Sequence, residues 1–166
     1  MVTTTTTMRA WTAGALMAGA AWCAQAQVPQ YGANVTLEQA RKAVAAAEAE
    51  ARKNGWPVAI AIVDTAGLLV VYARMDNTQT ASVAVSQDKA VSAAMYRRPT
   101  KVFQDLVAGA GAGTRVLNLR GASSVEGGLP IVVDGKIVGG IGVSGVTSEQ
   151  DGVVAKAGAD ALAAKP

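Results

Sequence analysis

The chain has 166 residues, with 15 Lys or Arg, 12 Asp or Glu and no His, so its formal net charge is +3. This weak positive balance, without any basic run, argues against a nucleic-acid partner. The lack of His and the presence of a single Cys exclude a Ser-His-Asp triad, a Cys-His dyad, a histidine-ligated haem and the usual zinc sites, so we expect no metal site.

Residues 1–26 have the features of a secretory signal peptide. Arg9 precedes a short apolar stretch, Ala10–Ala24, and the Ala-Gln-Ala sequence of residues 24–26 is typical of a cleavage site. We expect cleavage after Ala26, which would remove Cys23 and direct the protein to the periplasm or the exterior. The apolar stretch is too short and too rich in alanine for a membrane span. We expect residues 27–166 to form a single domain.

The first predicted helix begins at Thr36, where Gln39, three residues later, completes a capping box. Gly55 is typical of a left-handed residue at a helix end. A β-hairpin follows, because the apolar runs Val58–Asp64 and Leu68–Met75 flank a short turn.

Two further helices are predicted over Thr80–Arg97 and Thr100–Ala108, separated by Pro99, which cannot sit inside a helix. Thr114–Ala122 is compatible with a short strand, a turn of 3₁₀ helix or an irregular loop. Ser123–Glu126 fits a short edge strand that leads into the next hairpin.

The segment Gly127–Gly145 organises the rest of the chain. Its two apolar runs, Leu129–Val133 and Lys136–Val143, flank Asp134-Gly135, which favours a type I′ turn. Both runs are apolar at nearly every position, so this hairpin is predicted in the middle of a sheet that is covered on both faces. The glycines of the second run predict that another backbone or a ligand comes very close.

The last predicted helix covers Glu149–Ala164 and is capped by Thr147 or Ser148. The element order is therefore helix, hairpin, two helices, hairpin, helix. Two hairpins imply an antiparallel sheet, and the helices must cover it. The sequence thus predicts the α+β class, with helices packed on the sheet as a sandwich.

The stretch Gly140–Gly145 matches the G-x-G-x-x-G pattern of dinucleotide-binding folds. That pattern needs a further strand with an acidic residue after its helix, whereas this chain ends one helix later. Glu149 and Asp151 would also repel a phosphate at the start of the helix. We therefore interpret these glycines as sites of close packing.

Several polar residues are candidates for a ligand or catalytic site, and each has a structural alternative. Arg74 and Asp76 stand where a strand meets a helix, but they also fit a surface ion pair. Lys89 falls in the middle of a helix, where a solvated side chain is the ordinary interpretation. Tyr96 offers a phenolate for haem iron. Glu126, directly before Gly127 and Gly128, fits either a proton-transferring group facing a ligand or a solvated edge residue.

A resemblance to a known family is carried, in chain order, by Val63-Asp64-x-x-Gly67, Arg74-Met75-Asp76, Lys89-Ala90, Gly127–Ile131, Asp134-Gly135, Gly139–Gly145 and Glu149–Asp151. As an ordered set, covering about Val35 to Leu162, they resemble the GlcG/HbpS family. This family is also called the haem-degrading or domain-of-unknown-function type, and it includes the C-terminal domain of PduO.

The resemblance implies a profilin-like α-β-α sandwich with a five-stranded antiparallel sheet, and homo-oligomers that reach octamers. Some secreted members bind haem, while others have no settled activity. Because His is absent here, the resemblance implies that haem iron would be bound by Tyr96, Met75, Met95 or a hydroxyl such as that of Thr80, or by no side chain at all.

The sequence is therefore compatible with three functions. The first is a secreted, oligomeric protein that binds haem or another small molecule, with Arg74, Asp76, Tyr96, Gly127 and Gly128 as ligand-binding residues. The second is an enzyme acting on a small carboxylate-bearing metabolite. Arg74 would hold the carboxylate, and Glu126 or Lys89 would move a proton. The third is a purely structural or partner protein.

Overall fold

A computed structural model describes residues 1–2 and 28–163, so nearly all of the predicted signal peptide lies outside the described residues. The elements, in chain order, are α1 (Leu37–Asn54), β1 (Ala59–Asp64), β2 (Leu69–Arg74), α2 (Ser82–Tyr96), α3 (Lys101–Ala108), a 3₁₀ helix (Gly111–Asn118), β3 (Gly128–Val133), β4 (Lys136–Ser144) and α4 (Ser148–Asp160). Within the described residues, no helix is both long enough and apolar enough to cross a membrane.

The strands form one antiparallel sheet in the order β2-β1-β4-β3. Side chains of β1 alternate between two cores: Ile60 and Ile62 face α1 and α4, whereas Ala61 and Val63 face α2. The sheet therefore lies between helices on both faces, which confirms the predicted α+β sandwich.

The prediction of five strands is wrong, because the described residues contain four. Ser123–Glu126, which fits an edge strand by sequence, pairs with no strand there. Its backbone bonds to side chains instead: the Ser123 N–H donates to Ser92 Oγ, and the Glu126 N–H donates to Gln104 Oε1. Tyr31 adds only an isolated parallel bridge to Ile137.

The β3–β4 hairpin turns as predicted, since Asp134 and Gly135 have φ values of 49° and 73°, as a type I′ turn requires. Its predicted position in the middle of the sheet holds for β4 alone. The strand β3 lies at the edge, where Pro130 is tolerated because an edge residue needs no second partner for its backbone nitrogen.

The glycines of β4 allow α2 to lie directly on the strand backbone, which confirms their interpretation as packing residues. A Cβ atom at Gly140 would lie 2.5 Å from the Ala90 carbonyl oxygen. A Cβ atom at Gly142 would collide with the Ser86 carbonyl oxygen and the Ala90 nitrogen. Both obstacles are helix backbone, which cannot move aside as a flexible side chain can.

We therefore expect Gly142→Ala to lower the free energy of unfolding by about 3 kcal/mol, because the added methyl group must push α2 away from β4. Chemical denaturation followed by circular dichroism measures this loss. Gly109→Ala is the matched control, since its Cβ would meet its nearest neighbour at 3.5 Å, an ordinary contact. Equal stability of the two variants would contradict this account of the packing.

Candidate functional site

A buried ion pair joins the two helical layers of the protein. Lys89 of α2 and Asp151 of α4 meet with Nζ 2.8 Å from Oδ2, and their side chains are 1% and 3% exposed. The Lys89 ammonium also donates to the Val143 carbonyl oxygen of β4 at 2.9 Å. Because α2 and α4 pack on opposite faces of the sheet, the pair connects the layers past the end of β4.

Local sequence places Asp151 for this contact. The Thr147 hydroxyl accepts a hydrogen bond from the Gln150 N–H, and the Gln150 side chain accepts one from the Thr147 N–H, so α4 starts with a capping box. Asp151 follows in the first turn, and its Oδ1 accepts a hydrogen bond from the Val146 N–H at 3.2 Å. Burial raises the pKa of the Asp151 carboxyl, while the Lys89 ammonium acts in the opposite direction.

Gly127, just before β3, and Gly128, its first residue, lie over this ion pair. A Cβ atom at Gly127 would lie 2.8 Å from both Lys89 Nζ and the Asp151 Cβ, and the residue has a φ of 122°. A Cβ atom at Gly128 would overlap the Lys89 carbonyl oxygen. The structure therefore brings together three of the predicted site residues, Lys89, Gly127 and Gly128.

Glu126 lies next to this cluster but nearer the surface. Its Oε1 would be 2.8 Å from a Cβ atom at Gly152, the residue after Asp151 on α4. A hydrogen bond with Asp105 raises the pKa of Lys101, and the negative charge of Glu126 adds to this effect. The Glu126 side chain is half-buried.

Arg74 and Asp76 lie elsewhere, at the end of β2. Together with Glu48, Arg52 and Met75 they line a groove of about 250 Å³. Among the described residues that line this groove, neither Lys89 nor Glu126 is present. The predicted enzyme site is therefore not formed as one site, because Arg74 and Asp76 line this groove, whereas Lys89 is buried and Glu126 lies beside it.

Tyr96 is engaged in internal contacts. Its hydroxyl donates to the Arg120 carbonyl oxygen at 2.7 Å, and its ring meets Phe103 edge to face with 5.2 Å between ring centroids. These contacts hold the segment after the 3₁₀ helix against the end of α2.

Sequence reasoning missed the role of Asp151 as the partner of Lys89. A signal for the burial of Lys89 was present, because Ser82, Ser86, Lys89 and Ala93 recur at the spacing of one helix face, and all four are buried. A lysine on a buried face requires an anion nearby. Nothing local identified which carboxylate, 62 positions away, would supply it.

Two more grooves have linings suited to a small molecule. One, of about 440 Å³, lies beside the edge strand β3 and includes Arg97, Leu129, Pro130 and Lys156. The other, of about 410 Å³, lies on the outer side of α2 and includes Asp88. In the part of the chain that the structure describes, no three His, Cys, Asp or Glu side chains are grouped to hold a metal ion.

Comparison with known proteins gives a consistent result. The family model described as "Haem degrading protein HbpS-like" matches residues 35–160. Protein GlcG of Escherichia coli K12 is 43% identical over 110 residues, which are 66% of this chain and 81% of that protein.

Solved structures agree with this result. A double mutant of Streptomyces reticuli HbpS is 32% identical with a TM-score of 0.72, covering 80% of this chain and 90% of that chain. The crystal structure of a complex of PduOC with haem is 27% identical with a TM-score of 0.70, covering 78% and 95% of the two chains.

The buried pair leads to a prediction about stability. Lys89→Met would leave the Asp151 carboxylate buried without its ammonium, so we expect a loss of about 3–5 kcal/mol in the free energy of unfolding. The double variant Lys89→Met/Asp151→Asn removes both charges and keeps an oxygen for the Val146 N–H. We therefore expect it to recover a large part of that loss in urea denaturation.

The exposed pair Lys101–Asp105 supplies the control. Lys101→Met removes the same kind of charge from a solvated pair, and we expect no measurable change in the denaturation midpoint. If Lys89→Met also left the midpoint unchanged, the ion pair would not be what holds the two layers together.

Proposed function

Since this chain belongs to the HbpS-like family of haem-degrading proteins, we propose that it is a secreted, homo-oligomeric protein that binds haem or a similar small molecule. One observation carries the proposal. The chain shares its fold, over 78% of its length, with PduOC, whose structure was solved as a complex with haem. The likeness to HbpS supports the same ligand class.

The side chains available determine how haem is held. Of the four iron ligands considered from the sequence, Met75 packs against the core between the sheet and α1, and the Tyr96 hydroxyl donates to a carbonyl oxygen. Met95 and Thr80 are exposed. Because the chain contains no His, apolar contact with the porphyrin and pairing of its carboxylates contribute most of the affinity.

Secretion and assembly are part of the same proposal. Secretion rests on the signal-peptide features of residues 1–26. Assembly is supported by large apolar side chains that are 42–66% exposed, among them Leu68, Leu69, Met95, Leu117, Leu119 and Val125. A second copy of the chain would remove such surface from water.

The alternative is an enzyme that acts on a small carboxylate-bearing metabolite. The groove at the end of β2 favours it, because Arg52 and Arg74 both line it and arginine binds carboxylates in a bidentate manner. Proton transfer by Glu126 or Lys89 would need substrate to extend well beyond this groove, which makes haem binding the better supported function.

A haemin titration of the protein starting at residue 27 tests the main proposal. We expect a saturable change in the Soret band, with a spectrum that lacks the features of histidine or thiolate ligation because neither side chain is present in that protein. A titration curve identical to that of an unrelated, non-binding protein would refute haem binding.

The enzyme alternative is tested by measuring how a panel of small carboxylates changes the unfolding temperature of the protein. If the enzyme function holds, Arg74→Ala keeps the fold but abolishes the stabilisation by ligand, whereas Arg41→Ala, on α1, does not. A parent protein that no carboxylate stabilises, or an Arg74→Ala variant that responds like the parent, would count against the enzyme.

A further inference from the structure

The outer edge of β3 is closed to strand pairing at two successive outward-facing positions. The Gly128 N–H donates to the Thr100 hydroxyl at 3.0 Å, and the Gly128 carbonyl accepts from the Thr100 N–H at 3.0 Å. Two residues later on the same edge, Pro130 has no N–H to donate. Because this edge cannot accept a further strand there, the surface beside it is available to a ligand.

This surface is a groove with an apolar and stiff wall. Its volume is about 440 Å³, within the range of about 300–1,000 Å³ that is usual for small-molecule clefts. The wall contains Pro29, Pro99, Leu129, Pro130, Val132 and Ala159. Three prolines restrict the backbone, so little conformational freedom is lost when a flat apolar molecule binds.

Two cations line the same groove. Arg97 is half-buried, with its guanidinium carbon 5.4 Å from the centroid of the Tyr31 ring. Among the described residues its side chain has no hydrogen-bond acceptor and no ion-pair partner, so its five N–H donors are available. Among the described residues, the partner of Lys156 is Asp160, a carboxylate one helical turn away that also lines this groove, and both side chains are more than half exposed. Such a pair is weak and exchanges readily for another carboxylate.

From these observations we infer that haem binds in this groove beside β3. The porphyrin ring lies on the wall of proline and aliphatic side chains, one carboxylate accepts hydrogen bonds from Arg97, and the other pairs with Lys156. This inference rests on the proposed function and specifies where that function resides. It places the ligand away from Lys89 and Asp151 and, because Arg97 and Lys156 are both engaged by the carboxylates, assigns no side chain of the groove to the iron.

The two other grooves described above suit haem less well. The only charged residue in the lining of the groove on α2 is Asp88, which would repel the carboxylates of haem. The groove with Arg52 and Arg74 is about 250 Å³ and also contains Glu48 and Asp76. Of these three grooves, only the one beside β3 combines an apolar wall with more cations, Arg97 and Lys156, than carboxylates, Asp160.

The test compares haemin affinities of four proteins that start at residue 27: the parent, Arg97→Gln/Lys156→Gln, Arg98→Gln and Lys53→Gln. Charge-assisted hydrogen bonds contribute enough that we expect the double variant to bind about tenfold more weakly or worse. Arg98 neighbours Arg97 in sequence but lies over the Phe103 ring, and Lys53 is on α1. Both single variants should keep the affinity of the parent within about twofold.

A second probe, metal-free protoporphyrin IX, separates the porphyrin from its iron. We expect it to bind the parent and to lose affinity with the double variant in the same proportion as haemin, because the ring and the carboxylates contact the protein and the iron does not. Circular dichroism and thermal unfolding verify that each variant is folded.

The results separate two claims: that the protein binds haem, and that haem binds in the groove beside β3. If the parent does not bind haemin, the proposed function fails, and the inference fails with it. If the parent binds haemin and the folded double variant binds it equally well, haem binding stands and the groove beside β3 is excluded. A loss of affinity in Arg98→Gln equal to that of the double variant would likewise overturn the inference, because net charge alone would then explain binding.

Discussion

The ion pair between Lys89 and Asp151 is the constraint on which the rest of the structure depends. Two charges removed from water are tolerated only when each has a partner held in place, because desolvation costs several kcal/mol for each ion. Asp151 meets that condition through the capped start of α4, and Lys89 through its added bond to the Val143 carbonyl oxygen. The requirement to keep the charges together therefore fixes the helix on one face of the sheet relative to the helix on the other.

The glycines follow from that constraint. For the Lys89 ammonium to reach past the end of β4, α2 must lie close to the sheet, and a Cβ atom at Gly142 would hold its backbone away. The chain that leads into β3 then has to pass over the ammonium, which leaves no room for a side chain at Gly127. The G-x-G-x-x-G pattern of Gly140–Gly145 resembles a nucleotide-binding loop. In this chain its first two glycines are needed because α2 packs directly on the backbone of β4.

Much of this fold could be predicted because its signals are local. The capping boxes at Thr36 and Thr147 and the turn at Asp134 depend on residues within a few positions of one another, and the structure shows all of them. The strand count failed at Ser123–Glu126, where side chains of α2 and α3 satisfy the backbone instead of a neighbouring strand. The partner of Lys89 was missed for the same reason, since long-range contacts have no signature in a local pattern.

The residues that make the family recognisable and the residues that would hold a ligand are different sets. Lys89, Gly127 and Asp151 belong to the recognised motifs, and their contacts are with one another and with the backbone of the sheet. Arg97 belongs to none of those motifs, yet its N–H donors, which have no acceptor in the part of the chain that the structure describes, lie beside an apolar wall. Motifs that specify the architecture therefore support a prediction of fold, whereas the ligand has to be argued from the side chains that the architecture leaves without partners.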